Sequence, residues 1–344
     1  MRILFVGEIE EGRTSVQRMN ALKELGHEVT PINYLPPVRA DGKRHGILSR
    51  VLGKCGFPSD VCKMNRAIQE KSAERTFHVL WLEKTLSLRP RTLFRFRAKQ
   101  AQCRCVFYTV DDMANPHNQS RYYRKLVPGV DLYCTTKSFQ VSELKSEGWR
   151  RTMLVGNGYD SNTHRPYQAS MREKEELGAA VGFIGGFETD RYRQMLSLAQ
   201  NGVALRIRGS FWETVVGAHP LLEITCGDLL GEEYRKAICS TSINLCFLRK
   251  LNRDLQTTRS VEIPACGAFM LAERTKEHLE MFEEGREAEF FSSRGELLEK
   301  VRYYLAHSDE RERIAVAGRQ RCLTGGYSNA ERLAAVLKEL KRLG

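Results

Sequence analysis

Residues 259–271, RSVEIPACGAFML, decide how this chain is read. A polar approach of Gln256, Thr257 and Thr258 leads into an apolar turn that contains Glu262. The run Pro264-Ala-Cys-Gly267 stops the turn, and Ala268-Phe-Met-Leu271 reads as a buried strand. A carboxylate at a helix start beside a buried strand lies where open α/β sheets take ligands, outside the strand ends. Backbone N–H groups ahead of it can hold an anion while Glu262 accepts hydrogen bonds from vicinal hydroxyls. That pairing suits a nucleoside diphosphate with its ribose. The competing reading of the same residues is a solvated glutamate on a core helix.

Outward from this stretch, strands alternate with helices in both directions. Residues 2–6, RILFV, are an apolar strand ending in Gly7, followed by a helical pattern over 16–25, Gly26, and a second strand at 28–32. The arrangement is echoed later. Residues 180–184 end in Gly185-Gly186, 191–199 are helical, Asn201-Gly202 turns, and 203–207 is the next strand. Each copy is a βαβ unit and implies a parallel sheet. Neither carries a G-x-G-x-x-G run, which weakens a dehydrogenase reading. Between the copies, strands are expected at 106–110, 130–134 and 152–155, with a helix over 139–147. Beyond the second copy, strands are expected near Ile224, at 243–247 and at 269–272, then helices over 295–307, 309–322 and 329–343. The fold class is therefore α/β, with two doubly wound, Rossmann-like domains. The polar, aperiodic stretch with Pro166 places a linker at 166–177, between a first domain at 1–165 and a second at 178–344.

Composition agrees with a globular protein: 344 residues, 42% apolar and 28% charged. No run approaches the roughly 18 apolar residues that span a bilayer. The first strand is followed directly by acidic residues, unlike a secretory leader, so a cytoplasmic location is expected. The ten cysteines are scattered without paired C-x-x-C sets, as expected of free thiols in a reducing compartment. The formal net charge is +12, with cations concentrated at 39–63 and 89–104. Such faces attract phosphorylated or polyanionic substrates or an anionic membrane at its inner face; a merely solvated basic surface is the alternative. Within 39–63, Ile47-Leu48, Val51-Leu52 and Phe57 are spaced so that part is amphipathic, either a membrane-resting segment or a loop that closes over an acceptor. Nucleic acid is disfavoured, because the sequence shows no recognisable nucleic-acid-binding module.

The chain resembles the GT-B glycosyltransferases, and most closely the spore-maturation type near glycosyltransferase families one and four. The resemblance rests on Arg259-Ser-Val-Glu262-Ile-Pro-Ala-Cys-Gly267, similar to an R-x-x-E-x-x-x-x-G element, and on residues 290–297, FFSSRGEL. Residues 131–137 and Gly156-Asn-Gly158-Tyr-Asp160 are similar to segments of the first domain of that family. It implies that the two domains face one another across a cleft, with an acceptor domain first and a nucleotide-sugar domain second, closed by C-terminal helices. The implied activity is transfer of a hexose from a UDP- or GDP-sugar to a glycan, lipid-linked or other acceptor. No cofactor and no metal are implied, the nucleotide sugar being the donor substrate. By the same resemblance Glu262 holds the ribose hydroxyls. Asp254 falls on the first acidic position of the donor motif, one methylene shorter than the family's glutamate. Residues 255–258 lie where backbone amides meet the diphosphate, with Gln256, Thr257 and Thr258 as contacts.

Candidate phosphate-binding cations are Arg191, Arg208, Arg249, Lys250 and Arg259; for Arg191 a solvated first-turn arginine is the alternative. Gly185 and Gly186 leave room for close approach by the donor, or simply form a tight turn. Where family members often place His-Asp, this chain reads Val110-Asp111-Asp112, with His117 a few residues on. Asp111 or Asp112 would be the base of an inverting enzyme, and His117 a stand-in for the missing imidazole or an ordinary surface residue. Likeness to family four implies a retaining mechanism, in which no positioned base is required. The departures at Gly186, Asp254 and Asp111 also allow a non-catalytic nucleotide-sugar-binding protein.

Overall fold

The structure is a computed structural model and describes residues 1–38 and 44–343. Arg39 and Lys43, part of the expected basic segment, lie outside the described residues. The chain forms two compact units, 1–156 with 330–344, and 157–329.

The first unit is built on a six-stranded parallel sheet of β1 (Arg2–Gly7), β2 (Glu28–Asn33), β3 (Val79–Glu83), β4 (Arg104–Thr109), β5 (Leu132–Thr135) and β6 (Thr152–Leu154). Their order is β2-β1-β3-β4-β5-β6. β3, one of the two central strands, is absent from the expectations above, although VLWLE is buried at every position. Such continuous apolar runs mark parallel strands covered on both faces. On one face Phe107, Tyr123, Tyr133 and Trp149 pack together. On the other, Ile3, Phe5, Val79 and Trp81 meet Leu333, Val336, Leu337 and Leu340 of helix Asn329–Arg342.

That last contact moves the domain boundary. The final helix belongs to the first unit, not the second, because its i, i+3, i+4, i+7 stripe is buried on the first sheet. Burying each such side chain contributes about 1.5–3 kcal/mol. The expected linker also differs: residues 171–177 are helix Met171–Leu177, started by a capping box in which Ser170 and Glu173 satisfy each other's backbone amides.

The second unit repeats the plan with β7 (Ala179–Ile184), β8 (Leu205–Gly209), β9 (Leu222–Cys226), β10 (Thr241–Cys246), β11 (Met270–Glu273) and β12 (Glu289–Phe291). All pair in parallel, in the order β12-β11-β10-β7-β8-β9. Both βαβ echoes are thus present. All ten cysteines are free, six of them buried. No helix among the described residues is long and apolar enough to cross a membrane.

Candidate active site

In the second sheet the chain leaves β7 toward β8 and later returns on the opposite side, so β10 lies next to β7. Connections depart in opposite directions there, which opens a crevice at the carboxyl ends of these two strands. The segments entering it are Gly185-Gly186 after β7 and Phe247-Leu248 after β10.

Two arginines converge on this point. Arg191, on helix Thr189–Gln200, is buried and donates to the carbonyls of Gly186 (3.0 Å), Leu248 (3.3 Å) and Phe247 (3.5 Å). Arg259 opens helix Arg259–Ala265 and donates to the Phe247 carbonyl at 3.4 Å. Both guanidinium groups lie over the Phe183 ring, at 5.6 and 5.5 Å. Among the described residues, neither is within 4.0 Å of a carboxylate oxygen, and Arg259 Nε is buried with no partner. Burial first, and then the charge of Arg259, lower the Arg191 pKa to about 10. Two neighbouring cations held by carbonyl dipoles, with donor capacity unused, form a site for an anion with several oxygens.

Gly185 makes this possible. A Cβ there would stand 2.8 Å from the Phe183 ring and 3.0 Å from Arg259 Nη1. Gly186 is under no such constraint from the protein, since a Cβ would meet the Ser210 carbonyl at 3.7 Å. Gly209, which the sequence reading passed over, has φ +153° and ends β8 against the Gly185 carbonyl, where a Cβ would come within 2.1 Å.

Glu262 is buried one helical turn beyond Arg259. Its Oε2 accepts from the Tyr234 hydroxyl at 2.6 Å, and its Oε1 lies 3.9 Å from His164 Nε2. His164 Nδ1 accepts the Asp160 N–H at 3.0 Å, which assigns the proton to Nε2, on the side of Glu262. The solvated-glutamate reading therefore fails. The carboxylate is held in place and retains acceptor capacity on Oε1. Tyr234 and His164 were not singled out from the sequence, because they reach Glu262 from segments 28 and 98 residues away.

The other candidates separate. Thr257 and Thr258 precede the helix, half-buried, with hydroxyls that have no protein partner among the described residues. The Thr257 amide donates to Ser260 Oγ at 3.0 Å, and Ser260 Oγ is 2.7 Å from His278 Nε2. Gln256 points inward, to Glu277 (2.9 Å) and Asn157 (3.4 Å), and is not presented to a ligand. Arg208 is likewise withdrawn: it donates to the Glu176 and Leu177 carbonyls and caps helix Met171–Leu177. Arg249 pairs with Glu188 at 2.9 Å and Lys250 with Glu273 at 3.1 Å. Asp254 accepts from Asn252 Nδ2 at 2.8 Å and from the Arg249 amide at 3.3 Å, which closes the loop between them. A cavity of about 670 Å³ lies at the ends of β10, β11 and β12, lined by Lys250, Asp254, Glu273 and Thr275 among others, and not by Arg191, Arg259 or Glu262. Phe211, just after β8, is 75% exposed with φ +71°, a strained conformation for a bulky residue that the sequence reading missed.

In the first unit Asp111 and Asp112 follow β4. Lys84, directly after β3 with φ +41°, places Nζ 2.5 Å from Asp111 Oδ2 and 3.0 Å from Asn118 Oδ1. Asp112 is buried and accepts from Gln140 Nε2 (2.8 Å) and the Ala114 amide (2.9 Å), so it braces the turn and is not a free base. His117 is exposed on the turn Pro116–Asn118.

Residues 191–338 match the family model described as "Glycosyl transferase-like". The whole chain superposes on sucrose-phosphate synthase from Thermosynechococcus elongatus with TM-score 0.70 at 14% identity, covering 100% of both chains. Anabaena HepE in complex with UDP-glucose gives TM-score 0.64 at 12% identity, covering 99% of this chain and 100% of the other. An alpha-glucosyltransferase in complex with UDP and a 13-mer DNA gives 0.67 at 12%, covering 99% of each. No curated protein sequence matches the chain. The fold is that seen in the GT-B glycosyltransferase structures, and residues 191–338 are similar to the glycosyltransferase-like family model.

Proposed function

We propose that this glycosyltransferase-like chain moves a hexose from a nucleoside-diphosphate sugar to an acceptor hydroxyl, with the donor diphosphate seated between Arg191 and Arg259. The observation that carries the reading is the pair itself: two cations at the sheet's switch point without a carboxylate partner. Planar guanidinium groups match phosphate oxygens in bidentate fashion. As the C1–O bond breaks, negative charge develops on the departing diphosphate, and cations already in place stabilise it without reorganisation. Glu262, fixed by Tyr234, accepts from the ribose hydroxyls through its remaining capacity.

Retention of configuration is part of the proposal. The acceptor oxygen attacks C1 from the face the diphosphate leaves, and the hydroxyl proton passes to a leaving phosphate oxygen. This reading is supported by the partners already bound to Asp111 and Asp112, and by the family-four resemblance. The spore-maturation type is proposed on the 259–267 element.

A thermal-shift panel of UDP, GDP and ADP and their sugars tests donor binding, with UDP-glucose first because it is bound in a structural neighbour. Turnover of the stabilising sugar then separates an enzyme from a non-catalytic binder. If no nucleoside diphosphate raises the melting temperature, the reading is lost.

A further inference from the structure

Between β2 and helix Met64–Glu74 the first unit carries an eight-residue helix, Ile47–Lys54, in which no residue is buried. Ile47 and Leu48 are 74% and 73% exposed, Val51 and Leu52 51% and 38%. At 3.6 residues per turn these four fall within an arc of about 140°, and Arg50 and Lys54 lie to one side of it. Phe57 and Val61 extend the exposed apolar surface beyond the helix. A contiguous apolar surface of this kind, bordered by cations, marks an interaction site.

The helix is held at both ends. Before it, Arg44 donates to both oxygens of Glu10, at 2.6 and 2.8 Å, and to the Pro36 carbonyl at 2.7 Å. After it, the Arg121 amide donates to the Gly56 carbonyl at 2.8 Å, and the Phe57 ring packs under Arg121 (5.1 Å) and against Tyr122 (6.0 Å). Gly56 has φ +84°, and a Cβ there would meet Arg121 Cγ at 2.9 Å. The chain thus uses specific contacts to fix a helix none of whose residues is buried.

Charge selects the occupant. With Arg44 paired to Glu10, residues 45–63 carry Arg50, Lys54 and Lys63 against one carboxylate, Asp60. Asp60 is taken up by the Met64 and Asn65 amides and the Asn65 side chain. Arg121 and Lys125 add exposed cations on the neighbouring segment. A second copy of this chain would bring the same cations against these, so self-association through this face is opposed.

We propose that helix Ile47–Lys54 seats on an anionic lipid bilayer, its apolar face in the headgroup–acyl boundary and its cations against lipid phosphates and carboxylates. The inference does not depend on the donor-site reading. The test is co-sedimentation of the full chain with phosphatidylserine–phosphatidylcholine vesicles and with phosphatidylcholine alone, at low and at high salt. The expected result is at least about tenfold stronger binding to the anionic vesicles at low salt, lost at high salt. The double variant Ile47→Asp/Leu48→Asp and the charge variant Arg50→Glu/Lys54→Glu should each abolish it. Because none of the four side chains is buried, both variants fold, which an unchanged melting temperature checks. Absence of vesicle binding by the wild type at low salt overturns the proposal, as does equal binding by either variant. Sedimentation of the wild type as an Ile47-dependent dimer would assign the face to a second copy instead.

Discussion

Arg191 and Arg259 share one aromatic ring: their guanidinium carbons stand 5.6 and 5.5 Å from the centre of Phe183, while both donate to the Phe247 carbonyl. Like charges brought this close in a partly desolvated site repel one another, and carbonyl dipoles offset only part of that cost. Strand ends, a glycine and an aromatic floor nonetheless keep them together. Such an arrangement is stable when a multiply charged anion completes it.

Replacing either arginine should therefore weaken nucleotide binding. For Arg259→Ala or Arg191→Ala, the loss of a charge-assisted hydrogen bond is about 1.5–3 kcal/mol, roughly a 10- to 150-fold weaker nucleoside diphosphate. Titration calorimetry with the best nucleotide of the panel measures it. An affinity within twofold of wild type in a folded variant would place the diphosphate elsewhere.

Glu262 and Tyr234 are coupled. Glu262→Ala leaves the half-buried Tyr234 hydroxyl without its acceptor and should cost about 1–3 kcal/mol of stability in addition to ribose affinity. Tyr234→Phe removes the hydroxyl with its bond, so its stability cost should be smaller while Glu262 loses its anchor. Urea unfolding separates the two, and a stability loss in Tyr234→Phe as large as in Glu262→Ala would refute the coupling.

In the first unit Glu83 receives Arg18 Nε at 3.0 Å, Arg18 Nη2 at 2.7 Å and Trp81 Nε1 at 2.8 Å. Glu83, Arg18 and Trp81 are all buried, and against the burial the Glu83 charge and hydrogen bond raise the Arg18 pKa. Glu83→Ala leaves a buried, unpaired guanidinium and should destabilise the protein by about 3–5 kcal/mol. An unchanged urea midpoint would contradict this.

His278 links stability to pH. Its Nδ1 faces the Glu273 carbonyl at 2.7 Å and so carries the proton, and Nε2 takes the Ser260 hydroxyl at 2.7 Å. Burial lowers its pKa below the usual histidine value. A depressed folded-state pKa means that the unfolded chain binds the proton first. The stabilisation is therefore complete above about pH 6.5 and declines as pH falls toward the folded-state value. Unfolding free energy should drop between neutral and mildly acidic pH, and His278→Gln should flatten that slope. An identical slope in the variant would show that other groups set it.

Turnover should persist in the presence of a chelator, because Arg191 and Arg259 already supply the positive charge a metal would bring to the diphosphate. Loss of activity restored by magnesium or manganese would reverse this.

Much of this protein is legible from local pattern. Apolar runs ending in glycine identify β1 and β7, and the 259–267 element marks the helix at the crevice, because strand burial and helix entry depend on neighbouring residues. The 259–267 stretch points to Glu262, and the family resemblance puts Arg191 and Arg259 among five candidate cations with Arg208, Arg249 and Lys250. What local pattern does not hold is which side chain turns where. Gln256, Arg208 and Asp112 are polar residues beside the right strands, yet each is recruited by a distant partner: Glu277, the end of helix Met171–Leu177, and Gln140. Helix Asn329–Arg342 shows an apolar stripe in its sequence, but only tertiary packing assigns that stripe to the first sheet. Hydrophobic periodicity states that a face must be covered and is silent on what covers it, whereas the Tyr234 hydroxyl and the His164 ring, 28 and 98 residues from Glu262, meet its carboxylate only once the chain has folded.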